Sequence, residues 1–285
     1  MLKSIIKTIL FILKLVIPFY IIADTLIYFE ILQKISFLFT PITNLLGLSP
    51  ETSLAITAGI LLNIYGTLAF AVPLHLTPYE WTILGIFLGI AHALPLENSI
   101  MKKIGLPHLY STILRLSSAF LGVFIFKLLP INIEGQSQTK EISFTHYNSF
   151  LDMLYHSFIN ASILAIKIII LITTLIVVMQ YIKEKLFKNK KISTPFSIIT
   201  GLILGITYGA GILIQEKSNL NKKDILFVGT FLMICHSLIE DVALFVIFGA
   251  NMWVLIFIRL FLAIIISFLV MKFYNLPINP STKQI

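Results

Sequence analysis

Cysteine is nearly absent: the 285 residues hold one, Cys235. A disulfide within the chain is excluded, and so is a metal cage built from cysteines alone. Charge is scarce too, at 12% of residues, where an average soluble domain carries about 25%. Three motifs that would announce an enzyme are also missing. The chain has no phosphate-cradling G-x-x-x-x-G-K-[ST] loop, no H-E-x-x-H zinc helix and no G-x-S-x-G nucleophile elbow. With no evident nucleophile, the sequence is not read as an enzyme, and no cofactor is expected.

What is abundant is hydrocarbon. Hydrophobic residues make up 58% of the chain and the mean hydropathy is +0.96, which defines an all-α, polytopic integral membrane protein. The net charge of +8 comes from lysines in short clusters between apolar runs, as in "KEKLFKNKKIS" at 183–193. That is the pattern of cytoplasmic loops rather than of a groove that tracks phosphates, so the bilayer, not nucleic acid, is the expected partner. Apolar runs near the 20 or so residues that a crossing requires occur at about 4–23, 53–73, 79–96, 108–130, 158–182, 197–215, 224–247 and 251–273. These give about eight spans. The first follows Lys3 and Lys7 without a small-residue cleavage site and reads as an uncleaved helix. The segment 25–47 mixes Glu30, Lys34 and Pro41 with apolar residues and reads as an amphipathic interfacial or re-entrant piece.

The second half repeats the first. Thr57, Tyr65 and Gly66 match Thr200, Tyr208 and Gly209 at an offset of 143 residues, in "TAGILLNIYG" and "TGLILGITYG". One residue later in register, at 144, His92 meets His236, Gly105 meets Gly249 and Arg115 meets Arg259. The expected organisation is therefore a first repeat over 1–130 with its core at 53–130, a polar loop over 131–147, and a second repeat over 148–285 with its core at 195–274. Three full spans per copy would give the copies one topology; one re-entrant segment in each would make them inverted.

Buried charge singles out two matched stretches, "AHALPLEN" at 91–98 and "CHSLIED" at 235–241. Ionisable residues in membrane spans are costly and face a bundle interior or a watery cavity. His236 and Glu240 stand four residues apart, the spacing of one helix face. In the first copy Pro95 separates His92 from Glu97 and is expected to kink or end the helix there. His92, Glu97, His236, Glu240 and Asp241, with Tyr65 and Tyr208 nearby, are the candidate substrate or ion site. Arg115 and Arg259 are the candidate partners for one carboxylate in each copy, which leaves one acid of the second copy over. The alternatives stay open: the histidines could simply donate to helix carbonyls, the tyrosines could be buried packing residues, and Gly66, Gly209 and Gly211 could serve close helix packing. Imidazole and carboxylate together would also suit a divalent first-row ion.

"TGLILGITYGAGILIQE" followed by "CHSLIEDVALFVIFGAN" resembles the bacterial and archaeal membrane proteins with a nucleoside-recognition, or gate, domain. These are related to the gate regions of concentrative nucleoside transporters, ferrous iron transporter B and the spore maturation proteins. The resemblance covers roughly 25–130 and 148–274. It implies a prokaryotic inner-membrane transporter or permease of a small polar solute, nucleoside-like, with a midplane site where the repeats meet. Transport of a divalent metal ion is the alternative, as is a non-transporting scaffold or assembly protein; a homo-oligomer is compatible with each. No cysteine follows the Tyr-Gly turns, "YGTLAF" and "YGAGIL", and no GTPase domain is present, so the resemblance points away from an iron channel of that type.

Overall fold

The computed structural model describes residues 2–135, 145–187, 194–215 and 221–273. The middle of the expected polar loop (136–144), the lysines at 188–193 and Glu216 lie outside the described residues. Among those described there is no strand. Six helical stretches are long and apolar enough to cross a bilayer: Ile5–Tyr28, Pro78–Ile104, His108–Leu128, Phe150–Ile182, Lys222–Val246 and Met252–Lys272.

Six differs from eight because two of the apolar runs do not continue as single helices. The run at 53–73 is split into α4 (Ser53–Leu61) and α5 (Ile64–Ala71), and that at 197–215 into α10 (Thr194–Leu204) and α11 (Ile206–Gln215). A nine-residue helix rises only about 14 Å, half of a hydrocarbon core of about 30 Å. Each pair folds back on itself as a hairpin that enters the bundle and returns: a Cβ at Gly66 of α5 would stand 3.5 Å from Ala58 Cβ of α4, and one at Gly209 of α11 would stand 2.8 Å from Gly201 Cα of α10. Hydropathy sums apolar residues across the turn and cannot see it.

The turns have local causes. In the first hairpin Asn63 is extended and its side-chain oxygen accepts the Gly66 N–H at 3.0 Å, capping α5. In the second, Gly205 takes φ +95°, a conformation open to glycine at little cost. Asn63→Ala is expected to cost about 1 kcal/mol through the lost cap. Thermal melting of the detergent-solubilised protein checks this, and Asn63→Asp, which keeps the acceptor, should recover most of the loss.

The remaining elements are α1 (Leu2–Tyr28), α2 (Ile31–Ser36), α3 (Thr40–Leu46), α6 (Pro78–Ala91), α7 (Leu94–Ile104), α8 (His108–Leu128), α9 (Phe150–Phe187), α12 (Lys222–Ile234), α13 (Leu238–Val246) and α14 (Met252–Lys272). α1 and α9 lie antiparallel, since Asp24 accepts from Ser157 at 2.5 Å and the Tyr28 and Phe150 rings stand 6.1 Å apart. Residues 29–47 make no span: α2 and α3 are short, and Phe37, Leu38, Ile42 and Leu45 are exposed, as on a piece lying in the membrane interface.

Within the core, α6–α7 runs antiparallel to α12–α13. The start of α6 meets the end of α13 where Trp81 stacks on Phe248 at 5.0 Å. At the opposite end Tyr110, at the start of α8, hydrogen-bonds Thr230 at 2.6 Å. The Asn251 N–H donates to Thr82 at 2.9 Å, placing the start of α14 beside the start of α6. Block 53–128 and block 194–272 are thus inverted relative to one another, each a re-entrant hairpin followed by a broken span and a continuous one. Lys3, Lys102, Lys103, Lys185, Lys222 and Lys223 fall at one end of the bundle. Glu30, Glu51, Glu80 and Glu134 fall at the other, together with Lys34 and Lys127.

Candidate functional site

Both broken spans break at the polar stretches. α6 ends at Ala91 and α7 begins at Leu94; α12 ends at Ile234 and α13 begins at Leu238. In each gap one residue adopts the left-handed conformation, Ala93 at φ 47° and Ser237 at φ 45°. Neither is glycine, so each conformation is held at a cost by its surroundings. The holding group is the opposing hairpin of the same block: the Ala93 N–H donates to the Gly59 carbonyl at 2.8 Å and the Ser237 N–H to that of Gly201 at 3.2 Å.

The first break falls in the turn before Pro95, where a proline is expected to end a helix, and Pro95 itself sits in the first turn of α7, where its missing N–H is harmless. The second copy breaks at the matching place without a proline. One expectation is corrected: His236 and Glu240 do not share a helix face, because α12 ends at Ile234 and His236 lies in the gap before α13.

The breaks free backbone carbonyls, and the two arginines take them up. Arg115, fully buried, donates to the Ile90 carbonyl at 2.6 Å and the His92 carbonyl at 2.8 Å. Arg259, also buried, donates to the His236 carbonyl at 2.6 Å. Each then meets a carboxylate: Arg115 Nη1 stands 2.7 Å from Glu97 Oε2, and Arg259 Nη2 bonds Asp241 at 3.1 Å. Gly89 makes room for the second arginine, since a Cβ there would stand 3.2 Å from Arg259 Cδ.

The histidines are placed alike. His92 Nδ1 lies 2.7 Å from the Leu88 carbonyl and His236 Nδ1 lies 2.7 Å from that of Leu232. A carbonyl only accepts, so both Nδ1 atoms carry hydrogen and both Nε2 atoms are turned toward the centre. There they converge on one atom, Glu97 Oε1, at 3.2 Å each. The ring centroids are 5.2 Å apart. Glu97 is therefore the hub of the site, joining both histidines and Arg115. That cross-copy role is not visible in its spacing from His92.

Glu240 stands apart from this cluster. Among the described residues it has no cationic partner; the Tyr65 hydroxyl donates to it at 2.9 Å. Both face a cavity of about 460 Å³ that is also lined by Thr8, Gln180, Leu204 and Tyr208. Tyr208 is about half exposed there. Thr8 of α1 and Gln180 of α9 were not legible as site residues, because neither belongs to the matched cores, 53–130 and 195–274. A second cavity, of about 230 Å³, lies further along the same α1–α9 wall and is bounded by Tyr20, His75, Asn160 and Lys167. Just beyond it, burial and the Asp24 carboxylate push the Tyr147 phenol up to about 12.

These features define an integral membrane protein whose helices enclose a polar, charge-paired centre. The chain is 25% identical over 275 residues, 89% of its length and 87% of the other's, to the Bacillus subtilis (strain 168) protein described as uncharacterized membrane protein YvoD. No family model matches the chain. No solved structure matches it either.

Proposed function

We propose that the protein is a permease for a small polar solute, and that the cavity walled by Tyr65, Tyr208 and Glu240 is where the solute binds. The observation that carries this reading is Glu240: of the three acids, it alone has no cationic partner among the described residues, and it opens onto a cavity. An ionisable residue inside the membrane marks a functional site by default, and lining a substrate or ion pathway is one of its usual roles. The cavity, about 460 Å³, falls within the range of about 300–1,000 Å³ usual for small-molecule sites. Tyrosine faces suit a planar base, and Glu240 with Gln180 suits sugar hydroxyls, which supports a nucleoside-like solute. Inverted blocks with broken helices at matching positions are also the architecture of many secondary transporters. The lysine-rich end is cytoplasmic by charge bias, in a prokaryotic inner membrane. The reading is transport, not catalysis.

The test is uptake of radiolabelled nucleosides into proteoliposomes. The wild type should accumulate at least one of them, and Glu240→Gln should reduce uptake by more than about tenfold while melting near the wild-type temperature, since no ion pair is broken. Absence of uptake by correctly folded wild type would count against the permease. Loss of folding in Glu240→Gln would favour a scaffold in which the acid is structural.

A further inference from the structure

We infer that His92 Nε2, His236 Nε2 and Glu97 Oε1 form a binding site for one divalent first-row transition-metal ion, which ties the two inverted blocks together at the centre of the bundle.

The first argument is hydrogen-bond chemistry. Both histidines donate Nδ1–H to carbonyls of their own helices, so a neutral imidazole presents a lone pair at Nε2. Two such lone pairs face one carboxylate oxygen at 3.2 Å. Three acceptors converging on one point repel unless a positive charge lies among them. Arg115 does not supply it: its Nη1 stands at the other carboxylate oxygen, Oε2, and off the N–H line, so it balances the charge of Glu97 while leaving Oε1 free.

Geometry gives the second argument. Ligands of a tetrahedral ion with bonds of about 2.0 Å stand about 3.3 Å apart, and the two N–O separations are 3.2 Å. All the candidate ligand atoms lie within 4.8 Å of one another. Orientation is the third argument. Metal-binding histidines ordinarily donate the other ring nitrogen to a carbonyl or carboxylate, which fixes ring and tautomer. Here the Leu88 and Leu232 carbonyls do this symmetrically, before any ion binds. Two imidazoles and a carboxylate select a borderline ion such as Zn²⁺ or Co²⁺ over Mg²⁺ or Ca²⁺, which prefer all-oxygen sites.

Because His236 belongs to one block and His92 and Glu97 to the other, the ion is a bridge between them. Its binding is separate from any solute in the Tyr65–Glu240 cavity, so it stands or falls independently of transport.

The experiment titrates Zn²⁺ and Co²⁺ into metal-stripped, monodisperse full-length protein in detergent. The expected result is one equivalent bound, with Co²⁺ giving the intense visible ligand-field absorption of a four-coordinate site. His92→Gln and His236→Gln should each weaken binding by more than about 100-fold, beyond what loss of a supporting hydrogen bond costs. Three results would overturn the inference: wild type that binds no stoichiometric metal, a Co²⁺ spectrum of the weak six-coordinate aqueous type, or affinity unchanged in both folded variants. The wild-type spectrum decides alone should the variants not fold. A centre held together by a proton gives the first result.

Discussion

Arg115→Leu is expected to lower stability by about 3–5 kcal/mol, the cost of stranding a buried charge by removing its partner. Arg115 is completely buried and holds three groups at once: it donates to the carbonyls of Ile90 and His92, which the helix break leaves without helical partners, and it pairs in charge with the Glu97 carboxylate. Leucine fills part of the volume but satisfies none of them. Arg115→Lys should recover only part of the loss, because an ammonium on a flexible stem cannot match the planar fork that reaches two carbonyls and a carboxylate together. Arg115→Leu combined with Glu97→Gln should be less destabilised than Arg115→Leu alone, since the stranded negative charge is then removed. Melting curves in detergent, with dispersity measured on the same samples, check the series. A wild-type melting temperature for Arg115→Leu would mean that the buried pair does not hold the break.

The same logic shows what the sequence could and could not reveal. Charges inside apolar runs are conspicuous because hydrocarbon cannot solvate them, so every member of the polar cluster was visible as a candidate, and the duplication paired the copies. Counting charges pairs each arginine with one acid and leaves one over in the second copy without saying which; the structure gives Asp241 to Arg259 and leaves Glu240 over. The cross-copy contacts were not legible. Glu97 to His236 and Tyr65 to Glu240 join residues 139 and 175 positions apart, and nothing local in either partner encodes the other. The second helix break, and the left-handed turns in both, were hidden for a related reason. Ala93 and Ser237 have no intrinsic preference for positive φ; carbonyls of the hairpins, Gly59 and Gly201, hold them there. Proline marks the first break, whereas the second has no such local signal.

Orientation of the copies was the question hydropathy left open, and the hairpins answer it. A segment that enters and leaves by the same end reverses the direction of everything after it relative to a crossing segment. Re-entry of α4–α5 and of α10–α11, with α9 as a single crossing between the blocks, makes the second block run opposite to the first. The charge distribution agrees with this arrangement: lysines gather at the end where α7, α9 and α12 have termini, and acids gather where α6 begins.

Gly209→Val is expected to cost about 3 kcal/mol, at the upper end of overpacking penalties, whereas Gly211→Ala should be neutral or stabilising. A Cβ at Gly209 would stand 2.7 Å from Leu232 Cδ1, 2.8 Å from Gly201 Cα and 3.2 Å from Gly201 N. The leucine could rotate away; the Gly201 backbone could not, except by opening the α10–α11 hairpin. At Gly211 a Cβ would meet nothing within 4 Å, and alanine is favoured over glycine in a helix by about 1 kcal/mol. Two glycines two residues apart on one helix, alike in sequence, are thus separated by what lies opposite them. The Gly209 effect should also reach the polar centre. Gly201 supplies the carbonyl that holds Ser237 in its left-handed turn, and Leu204 and Tyr208 of the same hairpin wall the cavity that Glu240 faces. Opening the hairpin therefore releases the second helix break and the cavity wall together, so Gly209→Val should lose uptake and melting temperature in parallel. Glu240→Gln should lose uptake alone.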